Sequence, residues 1–366
     1  MKRFLVIKPS SLGDVLHAFP AVTALVCSQK EECEVSWLIH PAFRELLDYL
    51  PFVKKKIIFD RKGLGKFITF FPALFRLISE LRKERFDAVY DLQGLFRSGI
   101  FSFITGCARR YGPANPREGI AKVFYTDKLS FPQGTLHAVE KLCNMIARSE
   151  NIPVPEREFL LPENRTYRES AAGKALAADL DILSMKKSGS RLVSIAPGAR
   201  WKSKTWEAEF FAEIVTLLHR KYPETVFLLL GSEAEKEAVE KLGGLLKDVP
   251  YTDLCGKTTI GELVELIRYS DVLLCNDSGP MHIAAVTGTL PVAFFGPTDP
   301  DLTGPYCKNA LVFQDKKTPC IKCFRRECRH LACHRGIKAE NVVEKIGNFF
   351  CTIPEQTGKQ EKEMTK

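Results

Sequence analysis

The chain has 366 residues, more than one hydrophobic core usually serves, so two domains are expected. Its 45% hydrophobic and 27% charged content is ordinary for a soluble globular protein. The net charge of +9 is unevenly spread: eight Lys or Arg and one acid, Glu327, lie between Lys316 and Lys338. That cluster suits phosphates or an acidic membrane face, or is a solvated loop, and no nucleic-acid motif accompanies it.

The chain opens with MKRFLVIKPSS, whose four consecutive apolar residues are too few for a signal-peptide core. No segment reaches the roughly 20 apolar residues of a membrane span. A cytoplasmic location is expected, with the 12 cysteines mostly reduced. Phe4–Ile7 reads as a strand, and a helical pattern runs from Val15 to Cys27. The turn joining them carries Lys8, Gly13 and Asp14. Asp14 stands at a helix start beyond the carboxyl end of a strand, where it is either a cap or a general base. Gly13 permits a tight turn, and Lys8 can pair with Asp14 or with an anionic substrate.

Further strands are expected at Val35–Ile39, Lys56–Phe59 and Phe86–Tyr90, separated by helix-length segments. Apolar strands alternating with helices imply a parallel sheet covered on both faces. The Phe-rich stretches 67–75, 95–96 and 100–103 read as helices packed on this sheet. The sharper alternative is a surface touching a membrane, with Arg61, Lys62, Lys66 and Arg76 beside it. Residues 150–166 hold three prolines and little periodicity, which marks a linker.

The alternation then restarts. Strands are expected at Leu192–Ala196, Thr225–Leu230, Val272–Cys275 and Pro291–Phe295, with helices at Glu207–Lys221, Glu233–Leu246 and Ile260–Tyr269. The fold class is therefore α/β, two doubly wound domains with a cleft for ligands beyond the carboxyl ends of the strands. Pro197-Gly198-Ala199-Arg200-Trp201-Lys202-Ser203-Lys204 forms a turn and a cationic loop after a strand, but it is not a Walker A loop. Leu230-Gly231-Ser232-Glu233 repeats the strand–turn–helix pattern, where Glu233 either bonds a ribose hydroxyl or favours the helix dipole. Asn276-Asp277-Ser278-Gly279, followed by Met281-His282-Ile283, is a third such turn. Its helix-start amides suit a diphosphate, or Asp277 and Ser278 only cap the helix. Cys320, Cys323, Cys328 and Cys333 stand close enough in sequence to hold zinc or an iron–sulfur cluster, although their spacing departs from paired CxxC motifs; reduced thiols are the alternative. The tail from Pro354 is rich in Lys, Glu, Gln and Thr and is expected to be frayed.

Taken together, KPSSLGDVLH at 8–17, PGARWKSKTW at 197–206, LGSEAE at 230–235 and NDSGPMHIAA at 276–285 resemble the ADP-heptose:lipopolysaccharide heptosyltransferases of glycosyltransferase family 9. The resemblance runs to about residue 350. It implies a GT-B fold, with an acceptor-binding Rossmann-like domain at 1–160, a nucleotide-sugar-binding one at 161–350 and a flexible tail at 351–366. It implies inverting transfer of heptose from ADP-heptose to the lipopolysaccharide inner core, with no cofactor and no essential metal. The acceptor is Kdo-lipid A or its heptosylated form, met at the cytoplasmic face of the inner membrane. Asp14 matches the catalytic base. Lys204, Thr205, Glu233, Asp277, Ser278, Gly279 and His282 match donor contacts. Lys8, Ser10, Ser11, Gly13, Arg61, Lys62, Arg117 and His137 fall on the acceptor side, His137 at a recurring position of undefined role. Rival readings are a family 9 transferase using another nucleotide sugar, a GT-B-like epimerase, or a non-catalytic sugar-nucleotide-binding protein. Asp14 argues against the last, because a binder needs no base.

Overall fold

The structure is a computed structural model. It describes all residues except 60–66, 133, 135, 156–158, 189 and 353–366, and the side chains of all of those except 67–74, 186 and 187. The chain divides into two compact units, Met1–Phe159 and Leu160–Lys366.

The first unit runs β1 (Lys2–Ile7), α1 (Leu12–Cys27), β2 (Cys33–Ile39), β3 (Val53–Ile58), α2 (Phe67–Lys83), β4 (Ala88–Asp91), α3 (Phe96–Ile104), β5 (Arg110–Pro113), β6 (Asp127–Leu129) and α4 (Ala138–Glu150). Its strands form a six-stranded parallel sheet ordered β3-β2-β1-β4-β5-β6. The apolar run in β1 is the central strand: Leu5, Val6 and Ile7 are fully buried. Each such side chain contributes on the order of 2 kcal/mol of transfer free energy.

The second unit runs α5 (Arg165–Leu176), α6 (Ile182–Ser188), β7 (Leu192–Ala196), α7 (Ala208–Lys221), β8 (Val226–Leu229), α8 (Lys236–Leu245), β9 (Tyr251–Asp253), α9 (Ile260–Tyr269), β10 (Val272–Asn276), α10 (Gly279–Thr287), β11 (Leu290–Phe295), α11 (Pro300–Thr303), β12 (Leu311–Gln314) and α12 (Ala339–Phe350). Its six parallel strands are ordered β12-β11-β10-β7-β8-β9. Counted within each unit, both sheets follow the order 3-2-1-4-5-6, so both units are Rossmann-like. The core here includes Val193, Ile195, Phe211, Phe227, Val292 and Phe294.

The sheet order fixes where a ligand can sit. Strand order reverses between β1 and β4 in one unit and between β7 and β10 in the other. Connections leave these neighbouring strands in opposite directions, which opens a crevice at their carboxyl ends. The expected long strands are all present. The segment expected as one helix over Glu233–Leu246 is instead a 3₁₀ turn, Glu233–Glu235, followed by α8. The expected linker ends earlier than its composition suggests, because Asn164 caps α5 by accepting from the Tyr167 amide. The short strands β5, β6 and β9 carry too few apolar residues to stand out in the sequence, and β12, Leu-Val-Phe-Gln, was missed although three of its four residues are apolar.

Candidate active site

In the first unit, β1 ends at Ile7 beside Asp91 of β4, so Lys8 and Asp91 meet at the reversal point. Lys8 is buried, and its Nζ donates to the Leu92 carbonyl at 2.9 Å. The same Nζ lies 3.8 Å from Asp14 Oδ1. Burial pushes the Lys8 ammonium below the ordinary lysine range, opposed by the charges of Asp14 and Asp91.

Asp14 is the third residue of α1 and its side chain is 45% exposed. Its Oδ2 accepts from the Ser11 amide at 2.9 Å and from Ser11 Oγ at 2.8 Å. The capping role is therefore realised, through one oxygen, while the other faces Lys8. Ser10 is exposed, Ser11 is partly so, and Gly13 is buried under the turn. His137 caps α4, its Nδ1 accepting from the Val139 amide at 3.2 Å. Its ring meets His17, one helical turn after Asp14, edge to face with centroids 5.4 Å apart. Arg117 is exposed in the segment after β5. Arg61 and Lys62 lie outside the described residues.

Sequence reasoning missed Asp91. It is fully buried at the end of β4 and accepts from Tyr125 Oη and Ser98 Oγ, each at 2.7 Å, and from the Gln93 and Gly94 amides. Burial pushes its carboxyl above the ordinary range, and those four donors oppose the shift. A polar residue closing an apolar strand was the available signal.

In the second unit, Lys204 follows β7 and Asp277 follows β10, again at the reversal point. Lys204 Nζ sits 2.6 Å from Asp277 Oδ2 and 4.6 Å from the centre of the Trp201 ring. Thr298 Oγ1 donates to the same carboxylate oxygen. An ammonium has three N–H donors, so Lys204 retains capacity for phosphate oxygens after pairing with Asp277. Asn276 ties the two loops together: its Nδ2 donates to the Pro197 carbonyl at 2.6 Å, and its Oδ1 accepts from the Trp206 amide at 3.3 Å. Thr205 turns inward, its Oγ1 donating to the Trp201 carbonyl.

Gly279 begins α10 and Pro280 follows it, so the start of this helix presents few amides. Ser278 Oγ is buried there with no hydrogen-bond partner. A buried unpartnered hydroxyl costs free energy unless a ligand satisfies it. His282 is buried one turn further on.

Glu233 is exposed, 3.7 Å from Lys236 Nζ. Glu235, not singled out in the sequence, is more tightly placed. It accepts from Ser232 N at 2.8 Å and Ser232 Oγ at 2.7 Å, a capping box whose S-x-x-E spacing was readable. A Cβ on Gly198 would fall 2.4 Å from its carboxylate, so only glycine admits this approach to the loop after β7.

The cysteine-rich segment clasps these loops from the other side. Ser203 Oγ donates to the Arg325 carbonyl at 2.6 Å, and the Phe324 amide donates to the Pro297 carbonyl at 2.8 Å. His334 stacks on Trp206 with centroids 4.7 Å apart. Its Nε2 lies 3.0 Å from the Ser203 carbonyl. Gly296 permits this contact, since a Cβ there would meet the His334 ring at 2.8 Å. Among the described residues no three His, Cys, Asp or Glu side chains converge on a point that could hold a metal. Cys320 and Cys323 are exposed, Cys328 is partly so and Cys333 is buried.

A paired carboxylate beside a buried lysine, and a lysine beside a helix start whose N-cap hydroxyl is unpartnered, are the equipment of group transfer from an activated phosphate. The profile of glycosyltransferase family 9 (heptosyltransferase) matches residues 74–334. The chain belongs to this family and is a glycosyltransferase. It is 25% identical over 349 residues to lipooligosaccharide heptosyltransferase 2 of Campylobacter jejuni, covering 93% of this chain and 96% of that one. Among solved structures, the family 9 glycosyl transferase of Veillonella parvula superposes with a TM-score of 0.80 at 20% identity, covering 96% of this chain and 97% of that one. E. coli ADP-heptose lps heptosyltransferase II superposes at 0.75 with 21% identity, covering 96% and 99%. Both likenesses show the GT-B fold.

Proposed function

We propose that this protein transfers heptose from ADP-heptose to the inner core of lipopolysaccharide, with inversion at the anomeric carbon and without an essential metal. The observation that carries the reading is the Lys204–Asp277 pair at the strand reversal of the second unit, above the start of α10. The likeness to the E. coli ADP-heptose lps heptosyltransferase II supports the choice of donor.

The second unit takes the donor. Lys204, oriented by Asp277 and Thr298, bonds the diphosphate, and Ser278 Oγ gains the acceptor it lacks. In this arrangement Asp277 is a positioning residue, because a carboxylate already holding Lys204 and Thr298 is a poor neighbour for phosphate. The first unit takes the acceptor. Asp14 removes the proton as an acceptor hydroxyl attacks the anomeric carbon, and the bond from that carbon to the phosphate oxygen breaks. The departing ADP gains negative charge, which Lys204 stabilises. Buried Lys8, 3.8 Å from the nearer Asp14 oxygen, helps to position that carboxylate.

An acceptor built on lipid brings the enzyme to the cytoplasmic face of a membrane. None of the described helices is long and apolar enough to cross one, so the contact would be peripheral. Incubation with ADP-heptose and Kdo-lipid A, or its heptosylated form, tests the reading by mass spectrometry. The expected result is a product heavier by one heptose residue. An unchanged acceptor in both arms would remove the assignment.

A further inference from the structure

The first unit exposes large apolar side chains on one pair of elements. In α3, Phe96 is 40% exposed and Phe103 is 56% exposed. They stand seven residues apart, two turns along one side of the helix. In the 3₁₀ segment Gly119–Phe124, Ile120 is 59% and Val123 64% exposed. A spacing of three puts them on one side of a 3₁₀ helix.

The two elements form one surface. A Cβ on Gly99 would lie 2.7 Å from the Phe124 ring, so the segments are in close contact. The Phe124 ring bridges Phe96 at 5.6 Å and Phe103 at 5.9 Å between centroids. The opposite faces are anchored: Ser98, Gly99, Phe101, Ser102 and Ala121 are all buried. Leaving four large apolar side chains in water forfeits burial that these rigid elements could have gained elsewhere.

The rim is cationic. Arg97 and Lys122 are exposed neighbours of Phe96 and Val123 in the chain, the Arg97 guanidinium lies over the Phe59 ring at 5.7 Å, and the Arg110 guanidinium lies over the Phe103 ring at 5.6 Å. Of the two acids in the segment 96–128, Glu118 is occupied by the Phe96 amide at 2.7 Å. Aromatic and branched tips surrounded by Arg and Lys match the depth profile of an anionic bilayer, apolar beneath and negative at the headgroups.

We propose that the face formed by α3 and residues 119–124 docks on an anionic lipid bilayer. The proposal rests on the reading of a lipid-borne acceptor. α3 follows the carboxyl end of β4 and the 119–124 segment that of β5, on the same sheet edge where β1 leads to Asp14. A bilayer seated there presents its lipid headgroups to the edge that carries the carboxylate.

Flotation of the full chain with vesicles tests this. One set is phosphatidylethanolamine with phosphatidylglycerol, the other phosphatidylcholine alone. The wild type is expected to float with the anionic set and to release in high salt. Phe103→Ser/Val123→Ser and Arg97→Glu/Lys122→Glu should each lower the bound fraction about tenfold or more. Both variants should still unfold cooperatively and only slightly earlier than the wild type, since the altered side chains are largely exposed and only the contacts of Phe103 with Phe124 and Arg110 and of Arg97 with Phe59 are lost. Wild-type indifference to the anionic vesicles, equal binding to phosphatidylcholine, or either double variant floating like the wild type would overturn the proposal. So would a wild-type dimer that the variants split, which would assign the face to a second copy. Turnover on a delipidated core oligosaccharide separates the two readings. Normal turnover without vesicle binding sinks the docking face alone, and vesicle binding with no turnover on any acceptor sinks only the transferase.

Discussion

The two units share a strand order and put charged residues at the same topological point, yet they arrange them with opposite polarity. In the first, the lysine is buried and the carboxylate faces outward: the Lys8 and Asp14 side chains are 8% and 45% exposed, 3.8 Å apart. In the second, the carboxylate is the deeper partner: Asp277 is 6% exposed and Lys204 16%, 2.6 Å apart. The accessible group is thus an anion on one side and a cation on the other. Under the proposed function, one fold used twice would supply a place for a base and a place for a phosphate by exchanging which partner is buried.

If that polarity is functional, the largest effect comes from neutralising the outward anion. Asp14→Asn keeps an oxygen to accept from Ser11, so the start of α1 should survive and unfolding should be little changed. Turnover should fall by roughly 10²–10⁴-fold. Calorimetry should show ADP bound as before, since the donor loops are elsewhere in the chain. Turnover within a few-fold of wild type would show that the carboxylate only caps.

Removing the outward cation should cost somewhat less. Lys204→Ala should lower transfer by about 10²–10³-fold, the scale of losing one transition-state charge partner. It should also destabilise the second unit by roughly 1–3 kcal/mol, because Asp277 is left buried with only Thr298. The double variant Lys204→Met/Asp277→Asn sharpens the point: denaturant unfolding should recover most of the stability while transfer stays lost. Recovery of both would make the pair structural.

How much of this was legible in the sequence follows from how local each feature is. The strands β1, β7, β10 and β11 are largely apolar runs, and β2 ends in one, Trp37–Ile39, so all five announce themselves. The loops after β1, β7 and β10 were found because each packs its polar residues within a few positions of a strand end. Asp91 was not found, since its meaning comes from Lys8, Ser98 and Tyr125, brought together only by pairing β4 with β1 and β5. Thr298 and Ser203 were missed for the same reason. Glu233 was favoured over Glu235 because it comes first after the strand, whereas the capping-box spacing from Ser232 favours the second. The cysteines were read for their thiols. In the structure, their segment bears on the loops after β7 and β11 through its backbone carbonyls and amides and through His334.

His334 gives the smallest and most diagnostic effect. Burial holds its imidazole below the ordinary histidine value, only partly opposed by the Ser203 carbonyl and by Glu207. The Nε2 hydrogen goes to that carbonyl, and Nδ1 is buried without a hydrogen-bond partner, so protonating Nδ1 puts a charge where nothing receives it. A histidine with a lowered folded value binds fewer protons in the native state than in the unfolded one. Its contribution to stability is therefore complete above about pH 6.5 and is lost as pH falls from there toward the folded value, at up to about 1.4 kcal/mol per pH unit. His334→Phe keeps a ring on Trp206 and cannot titrate. It should lose a little stability at pH 7.5, for want of the bond to Ser203, yet lose less than the wild type on going to pH 5.5. The first unit, which lacks this clasp, serves as the internal reference in limited proteolysis at both pH values. Acid sensitivity should be greater in the second unit of the wild type, and it should shrink there alone in the variant. An unchanged pH response in the variant would mean that the stack on Trp206, and not the proton on the imidazole, is what joins the cysteine-rich segment to the donor loops.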